Sequence, residues 1–209
     1  MSFYSKKTTT ASDQIHSDIR AFTLIELMVS ISIIVMVTSV VMVRQSSFNG
    51  AVLLRNQAYE VAFSLRQAQL LAVSGVNSGA STAKQQYGVN LSRTVGSNQT
   101  YQIFQDKDGD GQIDSGDAYG LIGRLDRRFE IRDVTRADGS SIMGTSNVQN
   151  IYFTRPNFDA IFENGNSTKY SAGPVYIEVA KLGSSATDNG TVRCVEVTGP
   201  GQIQVMDCP

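Results

Sequence analysis

The stretch Asp106 to Asp117 reads DKDGDGQIDSGD and puts five carboxylates into twelve residues. A twelve-residue loop with oxygen ligands at positions 1, 3, 5, 7, 9 and 12, and glycine at position 6 for the sharp turn, wraps a calcium ion. Here those positions are Asp106, Asp108, Asp110, Gln112 (through its backbone carbonyl), Asp114 (through a water) and Asp117, with Gly111 at the turn. Ile113, at position 8, is placed to anchor the loop to a core. Without a cation these carboxylates repel one another, and hard oxygen donors favour Ca²⁺ over zinc or copper. An affinity of about 10⁻⁴–10⁻³ M, that of extracellular modules, is expected.

Two features separate this loop from the EF-hand it resembles. Position 12 is Asp117, one methylene shorter than the usual glutamate, so bidentate reach is reduced. The flanks, YQIFQ and AYGLIGRL, read as strands and not helices. The expectation is therefore a calcium loop inside a β-hairpin, used to fix structure. The other reading is a solvated acidic turn.

A second charged residue stands where charge is costly. Ala21 to Val43 is an apolar run broken by one charge, Glu26. About 20 residues span a hydrocarbon core, so the run is long enough to cross once. A carboxylate in such a helix costs about 2.5–3.5 kcal/mol at mid-bilayer and less near the edge, and usually has a partner. The run exceeds the apolar core of an ordinary secretory signal, and no small-residue cleavage site follows it. Lys6, Lys7 and Arg20 precede it, which favours a cytoplasmic N-terminus.

The string Arg20-Ala21-Phe22-Thr23-Leu24-Ile25-Glu26-Leu27 resembles the class III signal of type IV prepilins. The resemblance implies cleavage by a prepilin peptidase between Ala21 and Phe22, N-methylation of Phe22, and a role in assembly for Glu26 at the fifth mature position. The new Phe22 amine would pair with Glu26 of a neighbouring subunit, offsetting part of the burial cost and setting helix register. Ala21 stands where the family usually has glycine, and the 21-residue leader (1–21) is long for the family. The implied partners are other pilin or pseudopilin subunits, the peptidase and an inner-membrane assembly platform. The implied location is the cytoplasmic (inner) membrane, then a periplasmic or cell-surface filament.

Removing that leader removes His16, the sole histidine. A mature chain without histidine has no Ser-His-Asp or Cys-His nucleophile system and no imidazole-bound metal. No enzyme activity is expected. The net charge of −1 gives no global attraction to nucleic acid. Arg124, Arg127, Arg128, Arg132 and Arg136 cluster in sequence, but Asp126, Glu130 and Asp133 are interleaved, so a mixed-charge solvated face is expected. The alternative to a purely structural subunit is a DNA-uptake or adhesive tip pilin that binds through its C-terminal domain.

The elements that must carry these residues divide the chain at 22–43, 44–75 and 76–209. Behind the apolar run, Leu54, Ala58, Val61, Leu65, Ala68 and Ala72 recur every three or four residues, one stripe of an amphipathic helix. Arg55, Gln57, Glu60, Arg66 and Gln67 lie off it. Asn49-Gly50 should loosen or kink the helix, and Gly75 with 77–82 should end it. Strands are expected at Gln86–Leu91, Tyr101–Gln105, Ala118–Leu125, Phe129–Val134, Ile151–Thr154, Ala160–Phe162, Val175–Lys181, Arg193–Thr198 and Gln202–Met206, with a hairpin at Gly199-Pro200-Gly201. One long helix followed by many short strands is an α+β layout. With the prepilin signal it implies a pilin-like fold, the helix packed on an antiparallel sheet domain. The order resembles the H-type minor pseudopilins and FimT-like minor pilins. Cys194 and Cys208 flank the predicted hairpin. Outside the membrane, in an oxidising compartment, they are expected to pair, as C-terminal cysteines of type IV pilins often do; two free thiols are the other reading.

Overall fold

The computed structural model describes residues 22–74, 86–120, 122–154, 158–170, 173–184 and 190–209. Its contacts divide into two compact units, Met1–Gln45 and Ser46–Pro209. One helix, α1 (Leu24–Ser74), opens the described chain, and ten strands follow it.

In the first unit, Leu24–Val43 has a mean hydropathy of 2.4, and none of it is buried against protein. Thr23 precedes α1 and accepts the Glu26 N–H on its Oγ1 at 3.3 Å, which satisfies one of the orphan donors of the first turn. The hydroxyls of Ser30, Ser32, Thr38 and Ser39 each bond back to a carbonyl four residues earlier, at 2.7–2.8 Å. These four hydroxyls are therefore satisfied within the helix, and Glu26 is the side chain of the segment left to find a partner outside it.

In the second unit the predicted stripe is buried throughout: Leu54, Ala58, Val61, Leu65, Ala68 and Ala72 are each at most 1% exposed. Its small residues let the helix backbone approach the sheets closely. Two antiparallel sheets complete the core. The first has the order β3-β2-β1-β5-β6-β7, from Gly123–Arg124, Thr100–Asp106, Gln86–Ser92, Val148–Phe153, Ala160–Asn164 and Lys169–Tyr170. The second has the order β10-β9-β8-β4, from Ile203–Met206, Val192–Val197, Val175–Lys181 and Phe129–Arg136. Alternate residues of both sheets, among them Val89, Leu91, Ile151, Phe153, Ile177 and Val195, join the helical stripe in one hydrophobic cluster. The α+β expectation holds.

Two local expectations need correction and one strand was missed. α1 is continuous through Asn49-Gly50, where the sequence predicts loosening or a kink. Glycine costs about 1 kcal/mol against alanine in a helix interior, less than burial of Leu54 and Val61 returns on the next turns. Ala118–Leu125 is not one strand: Ala118 makes an isolated bridge to Phe104, and only Gly123–Arg124 pairs further along β2. Gly120 between them has φ 73°, which breaks extended geometry. Gln57, placed off the stripe, is buried, and its Oε1 accepts the Asp126 N–H at 2.7 Å. The short strand β7 was not foreseen. The expected helix stop at Gly75 and 77–82 lies outside the described residues.

Candidate functional site

Two regions carry the chemistry picked out above. The N-terminal one begins at Phe22, exposed ahead of α1, with Glu26 exposed in the first helical turn. A carboxylate there also complements the positive end of the helix dipole. Ala21 and the rest of the leader lie outside the described residues.

The second is the acidic loop, which connects β2 to a returning arm. Gln105 N–H bonds the Asp117 carbonyl at 2.8 Å and Tyr119 N–H bonds the Ile103 carbonyl at 2.9 Å, so the loop closes a hairpin as expected. Asp106 is the last residue of β2 and is fully buried. Its Oδ1 accepts the Gly109 N–H at 2.7 Å and its Oδ2 the Gly111 N–H at 2.9 Å. Asp108 accepts the Asp110 N–H at 3.3 Å, and Asp110 the Gln112 N–H at 2.7 Å. These successive side-chain turns curl the chain so that carboxylate oxygens of Asp106, Asp108 and Asp110 lie within 4.8 Å of one another. Burial, opposed by the Gly109 and Gly111 N–H bonds and reinforced by Asp108, pushes the Asp106 carboxyl up to about 6. Asp114 is also raised, chiefly by the charge of Asp110.

The remaining predicted ligands stand outside that trio. Asp117 is buried, with its Oδ2 on the Asp114 N–H at 3.0 Å and Lys107 Nζ 4.0 Å from its Oδ1. Lys107 also bonds the Gly116 carbonyl. The Gln112 side chain points to Glu163 Oε1, 3.0 Å away, leaving its backbone carbonyl as the donor expected of position 7. Ile113 is half-buried and is not part of the core cluster.

Sequence reasoning missed what grips the loop from outside. On the face of the first sheet opposite α1, Phe104, Asn150, Tyr152 and Glu163 are buried. Gly88 sits among them with no room for a side chain: a Cβ would lie 2.7 Å from Phe104, Tyr152 and the Ile151 carbonyl. Asn150 and Glu163 lie one residue outside the expected strands Ile151–Thr154 and Ala160–Phe162, and the observed strands β5 and β6 extend to include them.

The five clustered arginines do not form a free basic face. Arg128 pairs with Asp126 at 2.9 Å, Arg132 with Glu178 at 2.7 Å, and Arg136 lies 4.6 Å from the Tyr170 ring centre. Arg124 and Arg127 are exposed. Cys194 and Cys208 are joined in a disulfide, with Cα atoms 5.0 Å apart.

Residues 17–42 match the family described as the prokaryotic N-terminal methylation motif. The N-terminus carries a prepilin-type methylation motif. The matched segment covers the proposed cut, Phe22 and Glu26, and all but the last residue of the exposed apolar stretch. No curated protein matches the chain. Among solved structures, the minor pseudopilin EpsH from the type 2 secretion system of Vibrio cholerae is similar, with a TM-score of 0.43 and 14% identity over 75% of this chain and 96% of that one. Nothing further rests on a likeness of that size. The matched segment and the acidic loop thus belong to separate compact units, each with its own chemistry.

Proposed function

We propose that this chain is a structural subunit of a type IV pilus or a type II secretion pseudopilus, made as a precursor and assembled through its N-terminal helix. The observation that carries the reading is the methylation motif over residues 17–42, coinciding with an exposed apolar helix that begins two residues after Phe22. The prepilin peptidase cuts between Ala21 and Phe22, Phe22 is N-methylated, and the helix holds the subunit in the inner membrane until an assembly platform extracts it. Glu26 is exposed at the start of the helix, where the Phe22 amine of a neighbouring subunit is its natural counter-charge.

The loop is proposed to hold Ca²⁺. The donor set fits: three carboxylates already converge, all donors are hard oxygens, and the loop carries more negative charge than Lys107 offsets. Asp106, Asp108 and Asp110 would hold the ion, with the Gln112 carbonyl, Asp114 and Asp117 completing the set. When bound, the ion supplies charge neutralisation and cross-links the two arms of the hairpin.

The assembly reading is tested with Glu26→Val. The variant should be cleaved and accumulate in the membrane but be missing from sheared filaments. Wild-type amounts of the variant in the sheared fraction would refute the role of Glu26.

A further inference from the structure

Glu163 lies on β6, fully buried, beneath the acidic loop. Its carboxylate meets hydrogen-bond donors at both ends. Oε1 accepts from Gln112 Nε2 at 3.0 Å; Oε2 accepts from the Tyr152 hydroxyl at 3.1 Å and lies 3.2 Å from Lys169 Nζ. The Tyr152 oxygen first, and Glu163 after it, raise Lys169, and burial raises Tyr152, so the lysine stays charged and the phenol stays a donor. Asn150, directly across from Glu163 in the β5–β6 register, donates its Nδ2 to the Gly111 carbonyl at 3.1 Å. Gly111 has φ 84°, and a Cβ there would collide with Glu163 and lie 2.8 Å from Tyr152. The Gly111 N–H in turn holds Asp106 Oδ2. The sharp turn of the loop is thus clamped by side chains 39 and 51 positions away in sequence, and the clamp leads directly to Asp106.

We propose that Glu163, assisted by Asn150, is the positioning residue of the cation loop: it sets the shape in which Asp106, Asp108 and Asp110 converge. This rests on the calcium reading above. Glutamate is required because a carboxylate accepts at both oxygens, whereas an amide accepts at only one. Glutamine at 163 must turn an NH₂ toward either the lysine or the Gln112 amide. Partners outside the ligand set typically change metal affinity 10–100-fold.

The test is calorimetric titration of calcium chloride into the full chain in detergent, with melting curves in chelator. Glu163→Gln should weaken calcium binding about ten-fold. Gln112→Ala keeps its backbone carbonyl and removes only the loop end of the clamp. It should weaken binding several-fold and lower the melting temperature in chelator only modestly, since Glu163 Oε1 loses one donor, and it gives the readout should Glu163→Gln fail to fold. Wild-type affinity in Gln112→Ala and in any folded Glu163→Gln would overturn the proposal, because a purely structural role lowers chelator stability and leaves affinity alone. A wild-type chain that takes up no calcium would overturn the calcium reading itself.

Discussion

Asp106 should make calcium-free stability fall as pH rises. Its folded-state carboxyl is raised to about 6 against an ordinary 3.8, with burial the first cause. Between those values the folded state binds the proton and the unfolded state does not, so stability declines with increasing pH. The contribution is fully present below the unfolded value and is lost as pH passes the folded one. From pH 5 to pH 7 the loss from this group alone is up to about 1.3 kcal/mol, which for a domain of this size is roughly 3–5 °C in Tm. Saturating calcium reverses the sign, because the ion requires the ionised carboxylates; at ten times Kd it adds about 1.4 kcal/mol at pH 7. Urea unfolding in chelator at the two pH values, for wild type and Asp106→Asn, measures the effect. The wild type should lose stability from pH 5 to pH 7, and the variant should lose that much less. Equal pH slopes for the two proteins would refute the account of Asp106 as a buried carboxylate held by the loop.

Two further perturbations act on the scaffold. Replacing Cys194 and Cys208 by serine opens a loop with a sequence separation of 14. It should cost about 3 kcal/mol in urea unfolding, and a loss below about 1 kcal/mol would show that β9–β10 pairing alone closes the C-terminus. Gly88→Ala should destabilise by about 1–3 kcal/mol through overpacking. Its Cβ has to displace Phe104 or Tyr152, so calcium affinity should fall with it; titration of a folded variant at wild-type affinity would disconnect that face of the sheet from the loop.

Much of this architecture was legible because period and burial agree. The stripe from Leu54 to Ala72 follows a helical period and is buried along its length, and Ile177-Glu178-Val179 alternates as the Tyr176–Val179 pattern predicts, although Val175, Tyr176 and Ala180 are buried as well. Ala118–Leu125 failed because the positive φ of Gly120 breaks a run whose composition alone reads as extended. Gln57 failed because a polar side chain at the edge of a helical stripe is buried only when a distant backbone N–H, here that of Asp126, comes to meet it. The carboxylates of the loop were legible from local spacing, since side-chain turns two to five residues long build their convergence. Glu163 and Asn150 were not, because their contacts with the loop depend on sheet register across 51 and 39 residues. The methylation signal was the most legible element, being contiguous in sequence and independent of tertiary structure.

The central claim is most directly tested by the intact mass of the protein recovered from membranes and from sheared surface filaments. The account predicts the mass of Phe22–Pro209 plus one methyl group, less two hydrogens for the Cys194–Cys208 bond, in both fractions. A mass beginning at Met1, confined to the membrane, would contradict processing and assembly together.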